Sequence, residues 1–272
     1  MATSMGGKRD KRIDSARKIA EAAGDQSLDP EILFKRASKD DLEAYTPEMM
    51  ALVAAHARNE IREWDGGKPR VSIETLPGVA PGGTPVSVIA VTEHNMPFLY
   101  DSVMGEVTST HRDIHLAVHP ILVAQPGKPI TLFDPDEAAD PAHRVSHIQI
   151  HLSELTPAEA RELARRVGEV LDQVHQAVQD WPGMTALLDQ AMHEMETHDA
   201  GRRKGDQDEA LAFLRWLRDN NFTFLGMREF TYSGKGDQAK VERGKGKGLG
   251  ILSNPDVLVL RGGRPVAYGH GT

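Results

Sequence analysis

Apolar positions along this chain change period several times, and each change marks an element. The clearest succession runs from Pro85 to Val123. It opens with a β-branched apolar run, Val86 to Val91, which predicts a buried strand. A polar hinge, Thr92-Glu93-His94-Asn95, leads into Met96 and Pro97. Pro97 suits the first position of a helix, with Asn95 or Met96 next to the cap. Leu99, Val103 and Val107 recur every fourth residue and give that helix one apolar face. After Thr110-His111-Arg112-Asp113 the period falls to two. Ile114, Leu116 and Val118 alternate with His115, Ala117 and His119, the pattern of a half-buried strand. A further strand, Arg144 to Leu152, carries Ile148, Ile150 and Leu152 on one face and Val145, His147, Gln149 and His151 on the other. Thr156-Pro157-Ala158-Glu159 is a capping box. The helix it opens has the stripe Leu163, Val167, Val170, Leu171, Val174 and Val178, and Trp181-Pro182-Gly183 is expected to break it. Strand, helix and strand, followed by a second such unit, predict an α+β chain with a ferredoxin-like βαββαβ sandwich.

The flanks are patterned differently. Residues 1–68 read as a helical lead-in, with helices over Asp10–Ala23, after Asp29-Pro30 and after Thr46-Pro47. The last of these carries Met50, Val53, Ala54, Ala57 and Ile61 and stops at Asp65-Gly66-Gly67. Arg70 to Leu76 reads as an edge strand, and Gln125 to Ala142 as loop with a hairpin arm at Ile130–Phe133. The sandwich spans 69–196 and ends in a helix over Met184–Glu196, with a linker over 197–208. In 209–272 the pattern gives a helix over Glu209–Arg218 and a strand over Phe222–Tyr232, with Phe222, Phe224 and Phe230 as core. Short strands over Leu249–Leu252 and Val257–Leu260 follow. This last part holds too few apolar positions for a domain of its own, so the chain is expected to be truncated there.

Composition narrows the class. The 272 residues are 39% hydrophobic and 26% charged, the balance of a soluble globular protein. No apolar run is long enough to span a bilayer, and Met1–Arg12 lacks the apolar core of a secretory signal, so a cytoplasmic location and no membrane partner are expected. With no cysteine, disulfides, thiolate catalysis and Cys-ligated zinc are excluded. A formal net charge of −8 argues against a nucleic-acid grip, and the basic cluster Lys8–Arg12 reads as a solvated helix face.

Several motifs carry a resemblance. His94-Asn95-Met96-Pro97-Phe98-Leu99-Tyr100-Asp101-Ser102-Val103 and His119-Pro120-Ile121-Leu122-Val123 resemble the N-terminal region of the large bacterial NAD-specific glutamate dehydrogenases. Phe213-Leu214-Arg215-Trp216-Leu217, Asn221 to Phe230 and Gly248-Leu249-Gly250-Ile251-Leu252 resemble the same proteins. The resemblance implies an ACT-type module over 69–196 and part of a PAS-like α/β module over 209–272. It also implies a non-catalytic regulatory and oligomerisation region, with the dehydrogenase site elsewhere. The full enzyme would convert L-glutamate, NAD and water to 2-oxoglutarate, ammonium and NADH. Partners would be its own catalytic region and other subunits of a homo-oligomer, and NAD would belong to the full enzyme, with no cofactor in this stretch. The residues agree on that last point: the glycine-rich run Gly244–Gly250 follows charged residues and leads into a strand, so it fits neither the dinucleotide turn nor the P-loop.

Two sets of residues invite chemistry. ACT modules carry an Asp/Asn-x-Pro-Gly-Leu pattern at the strand-to-helix hinge, where a free amino acid can meet a helix N-terminus. Asn95, Pro97 and Leu99 fit it, but Phe98 stands where glycine would open the pocket. Glu93, His94, Asn95, Met96 and Pro97 thus form an effector-site expectation, against a plainer reading in which Asn95 caps the helix and Phe98 fills core. If such a site is real, the region is an amino-acid sensor controlling the catalytic part. The second set is His115, His119, His147 and His151, expected on the open face of the sheet. There they would serve subunit packing or, less expectedly, a metal or pH-responsive site. His56, His143, His175 and His193 read as solvated, and no catalytic or metal residue is assigned.

Overall fold

The computed structural model describes residues 3–22, 28–78, 83–125, 128–136, 140–197, 204–234, 240–244 and 246–257. The chain divides into two compact units, Met1–Leu171 and Asp172–Thr272. In the first, the helices α1 (Thr3–Ala22), α2 (Pro30–Phe34), α3 (Lys39–Glu43) and α4 (Pro47–Glu63) precede the strands β1 (Arg70–Leu76) and β2 (Val86–His94). Helix α5 (Leu99–Thr108) follows, then β3 (Ile114–Val118), β4 (Ile121–Val123), β5 (Thr131–Leu132), β6 (Arg144–Ser153) and the start of α6 (Pro157–Thr197). Capping fixes the starts the sequence marked. The Asp29 carboxylate accepts the Glu31 N–H ahead of α2, and the Thr46 hydroxyl accepts the Met49 N–H ahead of α4. At α6, Thr156 and Glu159 each accept the other's N–H, which with Arg112 holds the Glu159 carboxyl down at about 2.

All sheet pairings are antiparallel, in the order β1-β2-β6-β4-β5, with β3 also on β6. Strand β6 is therefore central, with β2 on one side and β3 and β4 in succession on the other. A βαββαβ sandwich would place its closing strand beside β2 after the second helix. Here β1, which precedes the unit, occupies that edge instead. Its seven residues pair in unbroken register with β2, from Arg70 opposite Thr92 to Leu76 opposite Val86.

Strand parity separates two faces. Ser87, Ile89 and Val91 lie with Ile148, Ile150 and Leu152 on the face of α5 and α6. The Leu155 N–H, just before α6, donates to the Ser87 hydroxyl at 2.9 Å, and Arg166 ties α6 to Glu106 of α5. On the other face, Val86, Val88, Leu116, Val118, Leu122 and Val145 share one core with Leu33, Phe34, Tyr45, Met50, Val53 and Ala57. The lead-in is thus a third layer, and among the described residues both faces of the sheet are covered. The sequence could not show this, because α4 alone gives an apolar stripe without its target.

In the second unit, α6 continues to Thr197 without the break expected at Pro182. A proline inside a helix costs about 3 kcal/mol; burial of Met184 and Leu188, two and six residues on, offsets it. Helix α7 (Lys204–Trp216) begins inside the stretch expected as linker and runs into a π turn over Leu217–Asn221. Strand β7 (Gly226–Met227) pairs with β10 (Leu249–Gly250), and β8 (Phe230–Ser233) with β9 (Lys240–Arg243). Gly250, at φ +57°, passes so close to Leu225 that a Cβ would lie 2.2 Å from its carbonyl oxygen. The long strand expected over Phe222–Tyr232 is reduced to these two short pieces. Phe222 and Phe230 are 52% and 40% exposed, so they are not core within the described residues. Residues 258–260 of the last expected strand lie outside the described residues.

Candidate functional site

Between α4 and the sheet lies a polar seam. Alternation along β1, β2 and β6 turns Arg70, Ser72 and Glu74, then Thr92, then His147, Gln149 and His151 toward the lead-in. Each meets a partner. The Tyr45 hydroxyl and His151 Nδ1 are 2.8 Å apart, as are the Thr92 hydroxyl and His147 Nδ1. The Gln149 amide donates to His56 Nδ1 at 3.1 Å. Glu60 accepts from Arg70 Nε at 2.9 Å, from the Arg70 terminal nitrogen at 3.2 Å and from the Ser72 hydroxyl at 2.7 Å, and Arg70 also bonds Glu63. His56 Nε2 stands 3.4 Å from Glu74 Oε2.

The four histidines expected on one open face are neither together nor open. His147 and His151 are fully buried in the seam, and desolvation pushes both imidazoles down to about 3, aided by repulsion from neighbouring histidines. A bulge between Ile114 and Leu116 shifts the parity of β3, so Leu116 and Val118 face the lead-in. His119 consequently lies on the opposite face, bonded to the Ser146 hydroxyl and stacked on Tyr100 with ring centroids 5.3 Å apart. Its pKa is lowered, chiefly by burial. His115, at the bulge, bonds the Ser153 hydroxyl at 3.2 Å. His56, expected in solvent, is 8% exposed. The missed signal was the spacing His56 to Glu60, which puts both on one face of α4.

The hinge also departs from expectation. Helix α5 starts at Leu99, and its cap is Phe98 in the left-handed region at φ +71°, with no side-chain cap bond. Asn95 does not cap: its N–H donates to the Arg144 carbonyl at 2.9 Å. Phe98 occupies the backbone conformation that glycine would favour, and its ring is 39% exposed rather than core. Glu93 and His94 point to opposite faces of the sheet. Glu93 is buried opposite Ser146, and desolvation pushes its carboxyl up to about 7. His94 packs edge-on against Trp64 and bonds the Gly66 carbonyl at 3.0 Å. Two of the five expected effector residues, Glu93 and His94, are therefore separated by the sheet. A cleft of about 210 Å³ opens nearby instead, lined by Ile32, Leu33, Arg36, Tyr100, His119 and Pro120 among others.

The sequence that builds this sheet and its helical layer matches a known family. The model of the family described as "Glutamate dehydrogenase, ACT1 domain" matches residues 31–167. The chain belongs to that family. The ACT1 match begins in α2 and ends in α6, so it takes in α3, α4 and the seam together with the sheet. An NAD-specific glutamate dehydrogenase of Halomonas elongata is 33% identical over 170 residues, covering 60% of this chain and 10% of that protein. One of Pseudomonas aeruginosa is 24% identical over 169 residues, covering 61% of this chain and 10% of that protein. The chain thus spans about a tenth of the length of these relatives. The resemblance drawn from the sequence motifs is the one the comparisons return. No described helix is long and apolar enough to cross a membrane.

Proposed function

We propose that this chain is the N-terminal regulatory and assembly region of an NAD-dependent glutamate dehydrogenase, and is itself non-catalytic. The full enzyme would oxidise L-glutamate with NAD and water to 2-oxoglutarate, ammonium and NADH, with NAD held outside this stretch. The observation that carries the reading is the ACT1 match across α2 to α6. Its partners would be the catalytic region and further subunits of a cytoplasmic homo-oligomer, and residues 209–272 would form part of a PAS-like module. A second reading, sensing of a free amino acid, is favoured by the cleft, whose lining includes Arg36, a residue type that pairs with carboxylates, together with Tyr100 and His119.

The test combines light scattering with melting of the chain against a panel of free amino acids at millimolar concentration. Assembly alone predicts a defined oligomer and no ligand-dependent shift. A ligand binding only the folded state at a hundred times its dissociation constant adds about 2.7 kcal/mol. A shift for one amino acid that is lost on Arg36→Ala would establish sensing. A monomer that shifts with nothing would overturn both readings.

A further inference from the structure

We propose that His56, Glu60 and Glu74 form a binding site for a first-row divalent cation of the zinc class, clamping α4 to β1. One donor atom from each residue lies within 4.8 Å of the other two. The site is distinct from the hinge and the cleft, and it does not depend on the dehydrogenase reading. His56 and Glu60 are one helical turn apart on α4, so a single face presents both. Glu74 comes from the facing strand, and its carboxylate reaches the pair from the solvent side, 57% exposed.

Three further observations point to a cation. First, His56 Nε2 is buried without a hydrogen-bond partner and faces Glu74 Oε2 at 3.4 Å. That separation exceeds the ordinary range for an N–H···O hydrogen bond. Two ligand atoms about 2.1 Å from a zinc ion at the tetrahedral angle lie about 3.4 Å apart. Second, Gln149 sits on the other ring nitrogen and its carbonyl oxygen has no partner. An amide turned to aim that oxygen at Nδ1 would accept a hydrogen bond from Nδ1–H, holding the ring in the tautomer whose Nε2 lone pair is left for the metal. Third, carboxylates gather here. Glu60 and Glu63 both bond the Arg70 guanidinium, and the Glu74 charge also acts on it through space. A divalent ion would add positive charge among these three carboxylates. Arg70 already bonds Glu63, so it keeps a carboxylate if Glu60 turns toward the metal. One imidazole with two carboxylates suits zinc, manganese or iron over magnesium or calcium.

Metal-stripped chain and its Glu74→Gln variant would be titrated with zinc chloride by calorimetry, with melting curves in zinc and in magnesium. Glu74 is the informative position because its exposed side chain can be altered without disturbing the core, whereas His56 is buried. The wild type should bind one more equivalent of zinc than the variant, at least tenfold more tightly than any residual site, and melt higher with zinc but not with magnesium. X-ray absorption of the one-to-one complex should show a single imidazole nitrogen among oxygen ligands. Equal stoichiometry and affinity in the two proteins would overturn the proposal, as would a wild-type melt unchanged at hundreds of micromolar zinc.

Discussion

At the scale of a residue, Phe98 shows how a local conformation can outrank side-chain preference. A bulky residue at φ +71° is held there by its neighbours, because Pro97 before it and Leu99 after it are fixed by the turn and by the core. The cost falls on the backbone, so the consequence is specific to side-chain shape. Phe98→Val adds a β-branched side chain to a left-handed position and should destabilise by about 1–2 kcal/mol. Phe98→Gly removes the strain along with a half-exposed ring, and should leave stability within about 1 kcal/mol of the wild type. Urea unfolding of the two variants checks this; a valine variant as stable as the glycine one would contradict it.

At the scale of an element, the buried polar rows of β2 and β6 make stability depend on pH in both directions. His147 and His151 titrate near 3 in the fold, against about 6.5 in an unfolded chain. Below pH 6.5 the unfolded chain takes up protons that the fold refuses, so each histidine lowers stability by about 1.4 kcal/mol per pH unit down to about pH 3. Neither costs anything above pH 6.5. Glu93 acts the other way. Its folded value of about 7 lies above its ordinary 4.5, so its contribution is intact below pH 4.5 and is lost as pH rises to about 7. The two trends place the melting maximum of the wild type near pH 6.5. Glu93→Gln should raise the melting temperature at pH 8 while leaving the acid limb in place. An acid limb that vanished with Glu93 would show that the histidines do not cause it.

At the scale of the whole molecule, the lead-in decides what can fold alone. Six apolar side chains, Val86, Val88, Leu116, Val118, Leu122 and Val145, are covered on the lead-in side of the sheet. At roughly 1.5–3 kcal/mol each, their exposure would cost on the order of 10 kcal/mol, as much as a domain's whole stability. A chain of residues 69–196 is therefore expected to aggregate or remain unfolded by size exclusion and circular dichroism, although periodicity alone marks it as a sandwich. A monomer with a cooperative melt would refute this.

What the sequence determined by itself is local. Arg70–Leu76 was legible as a strand residue for residue, the strand at Ile114–Val118 was legible without its bulge, and the caps at Asp29, Thr46 and Thr156 were legible as helix starts. Periods of two and 3.6 and capping chemistry need only near neighbours along the chain. The motifs around His94–Val103 and His119–Val123 likewise pointed to the family that the comparisons return. Tertiary structure decided the rest. Covering of the second sheet face, the bulge that separates His119 from His147, the burial of His56 and its meeting with Glu74 all depend on residues distant in sequence. A helix stripe shows that a face is buried without showing against what, and a polar strand face looks the same under water or under a second polar layer. The seam could therefore be seen only once α4 was placed on the sheet, where hydrogen bonds between the two layers make burial of so many polar groups tolerable.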